Sequence, residues 1–250
     1  CFFDGLRKVS AQIYGHEDVD ELLRSTEHVR YSTTQGTNSL VERKGPDLGL
    51  VLPHAFELDS LFENDDQRSL FDTIVGKRVG YYADCSSGDN GSEAFGSLVN
   101  ELTAQGSSRI VVCLTGDDYV DRERALIAYY DDAFPSHMLG TVPAMFSHEV
   151  VDDWCEGRRI WTTVLNAFLH DGMETFLFNA QRRLRDTKTK SPLLIFRNDG
   201  GSARVAKTTA IKTYGSGPRG GMEAVREIAR VYGLDHAVSV DIGGTTADIG

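Results

Sequence analysis

The segment that most constrains the fold lies at the end of the 250-residue sequence: Val238-Ser239-Val240-Asp241-Ile242-Gly243-Gly244-Thr245-Thr246-Ala247-Asp248-Ile249. An apolar run delivers a carboxylate, two glycines turn the chain, two hydroxyls follow, and a second apolar-flanked carboxylate comes back. Paired glycines admit the positive φ of a tight hairpin turn. They also leave successive N–H groups uncovered, so that these can face phosphate oxygens. Thr245 and Thr246 add hydroxyl donors. Asp241, at the strand end, is placed to hold a Mg²⁺-bound water or to act as a base. The pattern predicts a phosphate-facing β-hairpin, distinct from a strand–loop–helix phosphate loop. The competing reading is an ordinary hairpin with Thr245, Thr246 and Asp248 in solvent.

The rest of the chain alternates strand and helix. Phe2–Ile13 reads as a helix, with Phe2, Phe3, Leu6, Val9 and Ile13 near one face. Arg30–Thr34 is short and polar. Gly36–Lys44 reads as a helix that stops at the Gly45-Pro46 turn signal. Leu48–Leu52 is a continuous apolar run, as in a strand covered on both faces. Pro53–Asp72 is acidic and helical in parts. Arg78–Ala83 reads as a strand, Asp84–Gly91 as a loop, Glu93–Gln105 as a helix and Arg109–Leu114 as a buried strand. A helix over Arg122–Asp132 and an extended Met138–Phe146 follow. Asp152–Arg185 is the longest helical stretch, with a stripe at Trp161, Val164, Leu165, Phe168 and Leu169 and an expected kink at Gly172. Leu193–Phe196 is a strand, Asn198–Ser202 a turn, Pro218–Tyr232 a helix and Ala237–Ile242 a strand. This order predicts an α/β sheet layer.

Two further segments carry chemistry. Gly215-Ser216-Gly217-Pro218-Arg219-Gly220-Gly221 opens the helix that runs to Tyr232, with Pro218 suited to its first turn. It contains G-x-G-x-x-G and is followed by a strand ending in Asp241, the layout of a dinucleotide fingerprint. Against a nicotinamide site, Ala210–Tyr214 is too polar for the buried first strand of such a fold. Close helix packing is the plain reason for these glycines. The second segment, Tyr31-Ser32-Thr33-Thr34-Gln35-Gly36-Thr37-Asn38, offers hydroxyls and an amide at a helix start. They either cap the helix or bind an anion there. The histidines, among them His54, His137, His148 and His170, have no partner at metal-ligand spacing. Neither a G-x-S-x-G elbow nor H-E-x-x-H occurs.

Charge narrows the partners. The net charge is −11, but it is unevenly spread: residues 1–150 carry 25 acidic and 12 basic side chains, whereas residues 151–250 carry 12 and 14. The acidic front half opposes a nucleic-acid backbone; the slightly basic back half can receive an anion. Cys1, Cys85, Cys113 and Cys155 are far apart with no C-x-x-C, which predicts a reducing, cytoplasmic setting without a disulfide framework or zinc ribbon. No apolar run reaches the ~20 residues of a membrane span, and the start has neither the basic region nor the cleavage site of a signal peptide.

At these motifs the chain resembles the hydantoinase A/oxoprolinase family, in particular its acetone and acetophenone carboxylase branch. The resemblance rests on Tyr31–Val51 (YSTTQGTNSLVERKGPDLGLV), Arg158–Leu169 (RRIWTTVLNAFL), Phe196–Ser202 (FRNDGGS), Tyr214–Gly221 (YGSGPRGG) and Val240–Gly250 (VDIGGTTADIG). It implies the actin-like ATPase fold of sugar kinases and heat-shock chaperones, in which two α/β domains close over a nucleotide. Residues 1–236 would be most of the first domain, and 237–250 the phosphate hairpin opening the second. The family's first hairpin would precede Cys1, and the adenosine-binding part would follow Gly250. Ser-Gly-Pro-Arg stands where relatives more usually have Ser-Gly-Pro-Ala.

The resemblance further implies ATP and Mg²⁺ as cofactors. Asp241 would be catalytic and hold the metal through water. Gly243, Gly244, Thr245, Thr246, Asp248, Ser216 and Gly217 would face the nucleotide phosphates, with Thr33, Thr34 and Asn38 near the substrate or phosphate. The implied reaction is carboxylation of a ketone without biotin, through phosphorylation of bicarbonate or of an enolate, within a hetero-oligomer of carboxylase subunits. ATP-dependent opening of a cyclic amide such as a hydantoin or 5-oxoproline uses the same nucleotide site. A non-catalytic actin-like structural subunit would keep the fold alone.

Overall fold

The computed structural model describes residues 2–83, 89–187, 189–242 and 247–250. In chain order its main elements are α1 (Phe2–Tyr14), α2 (Val19–Ser25), β1 (Val29–Tyr31), α3 (Gln35–Val41), β2 (Leu48–Pro53), α4 (Asp65–Ile74), β3 (Val79–Tyr82), α5 (Asp89–Ala104), β4 (Arg109–Val112), α6 (Tyr119–Ala133), β5 (Ala144–Phe146), α7 (Ser147–Val150), α8 (Glu156–Asp186), β6 (Leu193–Phe196), β7 (Ser202–Arg204), α9 (Ser216–Tyr232), β8 (Val240–Ile242) and β9 (Ala247–Ile249). They form two compact units: Ser39–Asp171, and Cys1–Asn38 together with Gly172–Gly250.

The Ser39–Asp171 unit is built on a parallel sheet in the order β3-β2-β4-β5. Leu50 pairs with Val79 on one side of β2, and Val51 with Val112 on the other. Leu48, Leu50, Val51 and Leu52 are fully buried, as are Ile110, Val111 and Val112 of β4. Both central strands are therefore continuous apolar runs, as two covered faces require. Val51, Ile110 and Val112 pack with Phe95 and Leu102 of α5 and Leu126 and Tyr130 of α6. A second aromatic group joins Phe62, Phe71 and Trp161 edge-to-face, at centroid distances of 5.2–6.4 Å. The Trp161 indole N–H donates to the Leu61 carbonyl. Gly80 lets α5 approach β3, since a Cβ there would lie 2.5 Å from Leu98 Cδ1.

This unit also contains a buried ionic network. Glu123 of α6 is wholly buried. Its Oε1 accepts from the Leu114 N–H (2.9 Å) and the Ser147 hydroxyl (2.7 Å). Its Oε2 accepts from the His148 N–H (2.9 Å) and meets His148 Nδ1 at 2.7 Å. Arg159 of α8, 1 % exposed, donates to the Leu114 and Asp153 carbonyls and to Ser147 Oγ. Its guanidinium lies 3.7 Å from the centre of the Tyr119 ring. The network ties the segments after β4 and β5 to α6 and α8, and it satisfies the buried charges, which would otherwise be costly.

The other unit holds a sheet in the order β1-β6-β7. β1 runs parallel to β6, with Val29 opposite Leu193. β6 and β7 are antiparallel, with Ile195 opposite Ala203. The structure adds strand character to Val29–Tyr31 and Ser202–Arg204, which read from sequence as a polar stretch and the end of a turn. Each spans three residues, too few for a period-two pattern to register. α8 runs as one 31-residue helix through Gly172. β8 and β9 form an antiparallel hairpin with Asp241 opposite Asp248, and Ser239 and Gly250 close it with two reciprocal N–H···O bonds of 2.8 and 3.1 Å. Its turn residues Gly243, Gly244, Thr245 and Thr246 lie outside the described residues. Among the described residues no helix is long and apolar enough to cross a membrane.

Candidate functional site

The entry into α9 is set by backbone conformation. Gly215 takes φ 65° and ψ 10°, the left-handed region where a side chain is strained. It turns the chain directly into Ser216, which is fully buried. Pro218 sits in the first turn, where a missing N–H costs nothing. The N–H groups at this helix start present a partial positive charge.

The segment after β1 meets this helix start. The Thr33 N–H donates to Ser216 Oγ and the Ser216 hydroxyl donates to the Thr33 carbonyl, both at 3.4 Å. Thr33 Oγ1 accepts from the Gln35 N–H at 3.0 Å and so caps α3. A Cβ on Gly217 would lie in van der Waals contact with Thr34 Cγ2, at 3.4 Å, so the two segments are neighbours here. Thr37 Oγ1 accepts from the Gly215 N–H at 3.4 Å. Thr33, Thr34, Ser216 and Gly217 are thus brought together; Thr37, not singled out from the sequence, joins them. Asn38 is tied in by its backbone, its N–H donating to the Thr34 carbonyl at 2.8 Å.

A third segment converges here, the β6–β7 connection. Asn198 Nδ2 donates to the carbonyls of Ile211 and Tyr214, each at 3.0 Å, and the Asn198 N–H donates to the Lys212 carbonyl at 2.8 Å. These bonds fasten the 197–201 turn to the chain just ahead of Gly215. Asp199 accepts from the Gly201 N–H at 2.9 Å and pairs with Arg197 at 3.1 Å and Lys212 at 3.3 Å. The Gly201 N–H holds its carboxyl below the usual value against the opposing effect of burial, with Lys212 and Arg197 adding to the lowering. Arg219 pairs with Glu223 at 2.6 Å. The sequence marked this stretch as a turn and as part of the family resemblance, without a site role; its Asn-Asp-Gly-Gly composition was the available signal.

Asp241 lies in β8 with its side chain exposed. Among the described residues it makes no hydrogen bond or ion pair with the Thr33–Ser216 group. The hairpin meets α9 where Gly250 contacts Met222. Asp248 is described by its backbone alone, opposite Asp241. The arrangement gathers hydroxyls, glycines and a helix N-terminus, a combination suited to binding an anion.

Comparison with known proteins decides the family. The Hydantoinase/oxoprolinase N-terminal region profile matches residues 2–119, and the Hydantoinase/oxoprolinase profile matches residues 159–250. The chain belongs to the hydantoinase/oxoprolinase family. It is 29 % identical over 260 aligned positions to the acetophenone carboxylase gamma subunit of Aromatoleum aromaticum, covering 92 % of this chain and 35 % of that one. It is 32 % identical over 104 positions to the caprolactamase subunit alpha of Pseudomonas jessenii, covering 41 % of this chain and 15 % of that one. Among solved structures, nucleotide-free acetone carboxylase superposes with a TM-score of 0.78 at 20 % identity, over 96 % of this chain and 37 % of that one. The α/β fold is therefore that of this family, the actin-like ATPase fold. The chain spans about a third of the length of the acetophenone carboxylase subunit it matches.

Proposed function

We propose that this hydantoinase/oxoprolinase-family chain is part of a subunit of an ATP-dependent, biotin-independent ketone carboxylase. In this reading it acts in the cytoplasm with other carboxylase subunits, in phosphorylation of bicarbonate or of a ketone enolate. Residues 1–236 serve as most of the first domain, and 237–250 open the second. The observation that carries the reading is the meeting of Thr33 and Thr34 with Ser216 and Gly217 at the start of α9. Hydroxyls and glycines gathered at a helix N-terminus suit a phosphate chain. Ser216, Gly217 and the hairpin residues Gly243, Gly244, Thr245, Thr246 and Asp248 would hold ATP. Asp241 would hold Mg²⁺ through water, and Thr33, Thr34 and Asn38 would lie nearest the substrate. ATP with Mg²⁺ supplies the phosphoryl group. The chain's own residues position it and stabilise charge, which is most of what phosphoryl transfer asks of a protein.

The similarity to caprolactamase subunit alpha favours a second reading, ATP-dependent hydrolysis of a cyclic amide at the same nucleotide site. One assay separates the two: ATP hydrolysis by the full-length subunit with its partners. Stimulation by an aryl ketone that requires bicarbonate supports the carboxylase. Stimulation by a lactam, hydantoin or 5-oxoproline without bicarbonate supports the amide hydrolase. Asp241→Asn abolishes turnover in either case. Unchanged turnover in that variant overturns the role of the hairpin, and no turnover with any substrate points to a structural subunit.

A further inference from the structure

A cleft of about 710 Å³ opens between α1 and the second half of α8, lined by residues such as Phe3, Arg7, Tyr31, Phe176, Arg182 and Arg183. Its aromatic part is ordered: Tyr31 and Phe176 stack with centroids 5.9 Å apart and planes at 27°. The Arg183 guanidinium stands over the Phe3 ring at 5.8 Å. Arg7 is already paired with Asp4 at 2.7 Å. Arg182 and Arg183 have no carboxylate within ion-pair distance among the described residues, although Asp186 lines the same cleft.

We propose that this cleft binds a small aromatic monocarboxylate, its ring against the Tyr31–Phe176 stack and its carboxylate on Arg182 and Arg183. Charge selects the class. The three arginines outnumber the two aspartates, Asp4 and Asp186, so the lining favours an anion. The stacked rings favour a flat apolar body over a hydrated phosphate, and the planar guanidinium fork matches a carboxylate. The cleft is chemically separate from the Thr33–Ser216 group but adjoins it through the chain, because Tyr31 ends β1 two residues before Thr33. Burial pushes the ionisation of the Tyr31 phenol to higher pH. Occupancy of the cleft is therefore placed to be felt at the start of α9.

Benzoate is the direct probe, titrated by calorimetry into the full-length protein, with benzyl alcohol, cyclohexanecarboxylate and inorganic phosphate as comparisons. Saturable benzoate binding at one site is expected. Benzyl alcohol and cyclohexanecarboxylate should each bind ~10-fold or more weakly, and phosphate should not compete. The Arg182→Gln, Arg183→Gln double variant should weaken benzoate ~10-fold or more, by loss of charge-assisted hydrogen bonds. Both side chains are exposed, so this variant should melt like the parent. Phe176→Leu should narrow the preference for benzoate over cyclohexanecarboxylate. Absence of saturable binding, equal affinity in the double variant, or displacement by phosphate at equal concentration overturns the proposal.

Discussion

The hydroxyl of Ser216 sits 3.4 Å from both the N–H and the carbonyl of Thr33, a residue 183 positions earlier in the chain. One buried side chain thereby closes the backbone of the β1–α3 connection onto the start of α9. Ser216→Ala leaves the Thr33 N–H without its acceptor in a buried place. We expect a loss of about 1–3 kcal/mol, read as a lower urea midpoint with an unchanged slope. The proposed nucleotide site adds an expectation that ATP turnover falls further than this stability loss explains. Equal stability of variant and parent would show that the contact contributes nothing.

Much of this arrangement was legible before the fold was known, and the reasons differ residue by residue. Leu48–Leu52 and Arg109–Leu114 announced themselves as buried strands because parallel strands covered on both faces need uninterrupted apolar runs. Ser216, Gly217, Thr33 and Thr34 stood out because glycines and hydroxyls clustered at helix starts. The pairing of Thr33 with Ser216 was not legible, since local pattern says nothing about contacts so distant in sequence. Thr37 was missed because its role, accepting the Gly215 N–H, depends on that pairing. The Glu123–Arg159 network was missed for a related reason: a glutamate within the charged Asp121–Arg124 stretch reads as solvated until tertiary packing buries it.

That network supplies a second prediction. Glu123 accepts from Leu114, Ser147 and His148, while Arg159 sits 1 % exposed beside them. Glu123→Ala removes the carboxylate that shares the Ser147 hydroxyl with the buried guanidinium and leaves it, among the described residues, only the Asp153 carboxylate as a compensating charge. The expected cost is about 3–5 kcal/mol, measured by denaturant unfolding of the Ser39–Asp171 unit within the full protein. Arg159→Met in the Glu123→Ala background should recover part of the loss, because it removes the stranded charge. A cost below ~1 kcal/mol for Glu123→Ala would mean that water replaces the carboxylate.

Acid should act last on carboxylates that a neighbouring cation and backbone N–H groups hold ionised. Arg158 donates two hydrogen bonds to Asp153, and the Cys155 N–H adds a third. Together, with Arg158 the larger influence, they lower the Asp153 carboxyl to about 2. A depressed folded value means that the contribution is complete above the ordinary value of 3.8. It is lost as pH falls from there through about 2. Arg158 is exposed and Asp153 partly so, so the pair's effect on global stability is small and weakens with salt. Carboxyl ¹³C chemical shifts followed against pH should show Asp153 titrating well below a free aspartate. Arg158→Gln should move that titration upward; no movement would assign the shift to the Cys155 N–H alone.

Packing of α5 on the sheet provides the last test. Gly80 lies in β3, and a Cβ there would fall 2.5 Å from Leu98 Cδ1 and 2.8 Å from its Cγ. These distances are far inside van der Waals contact, so Gly80→Ala must displace Leu98 or the helix. Overpacking of this kind costs about 1–3 kcal/mol. Alanine also lowers the entropy of the unfolded chain, which offsets part of that, since Gly80 is not in the positive-φ region. The competing contributions separate in a double-mutant cycle with Leu98→Val, which retracts the colliding branch. If the steric account holds, the Gly80→Ala penalty shrinks by about 1 kcal/mol or more in the Leu98→Val background, a coupling expected only of residues in contact. If the two substitutions add, Gly80 is kept for its backbone alone, and α5 has room to settle against β3 without it.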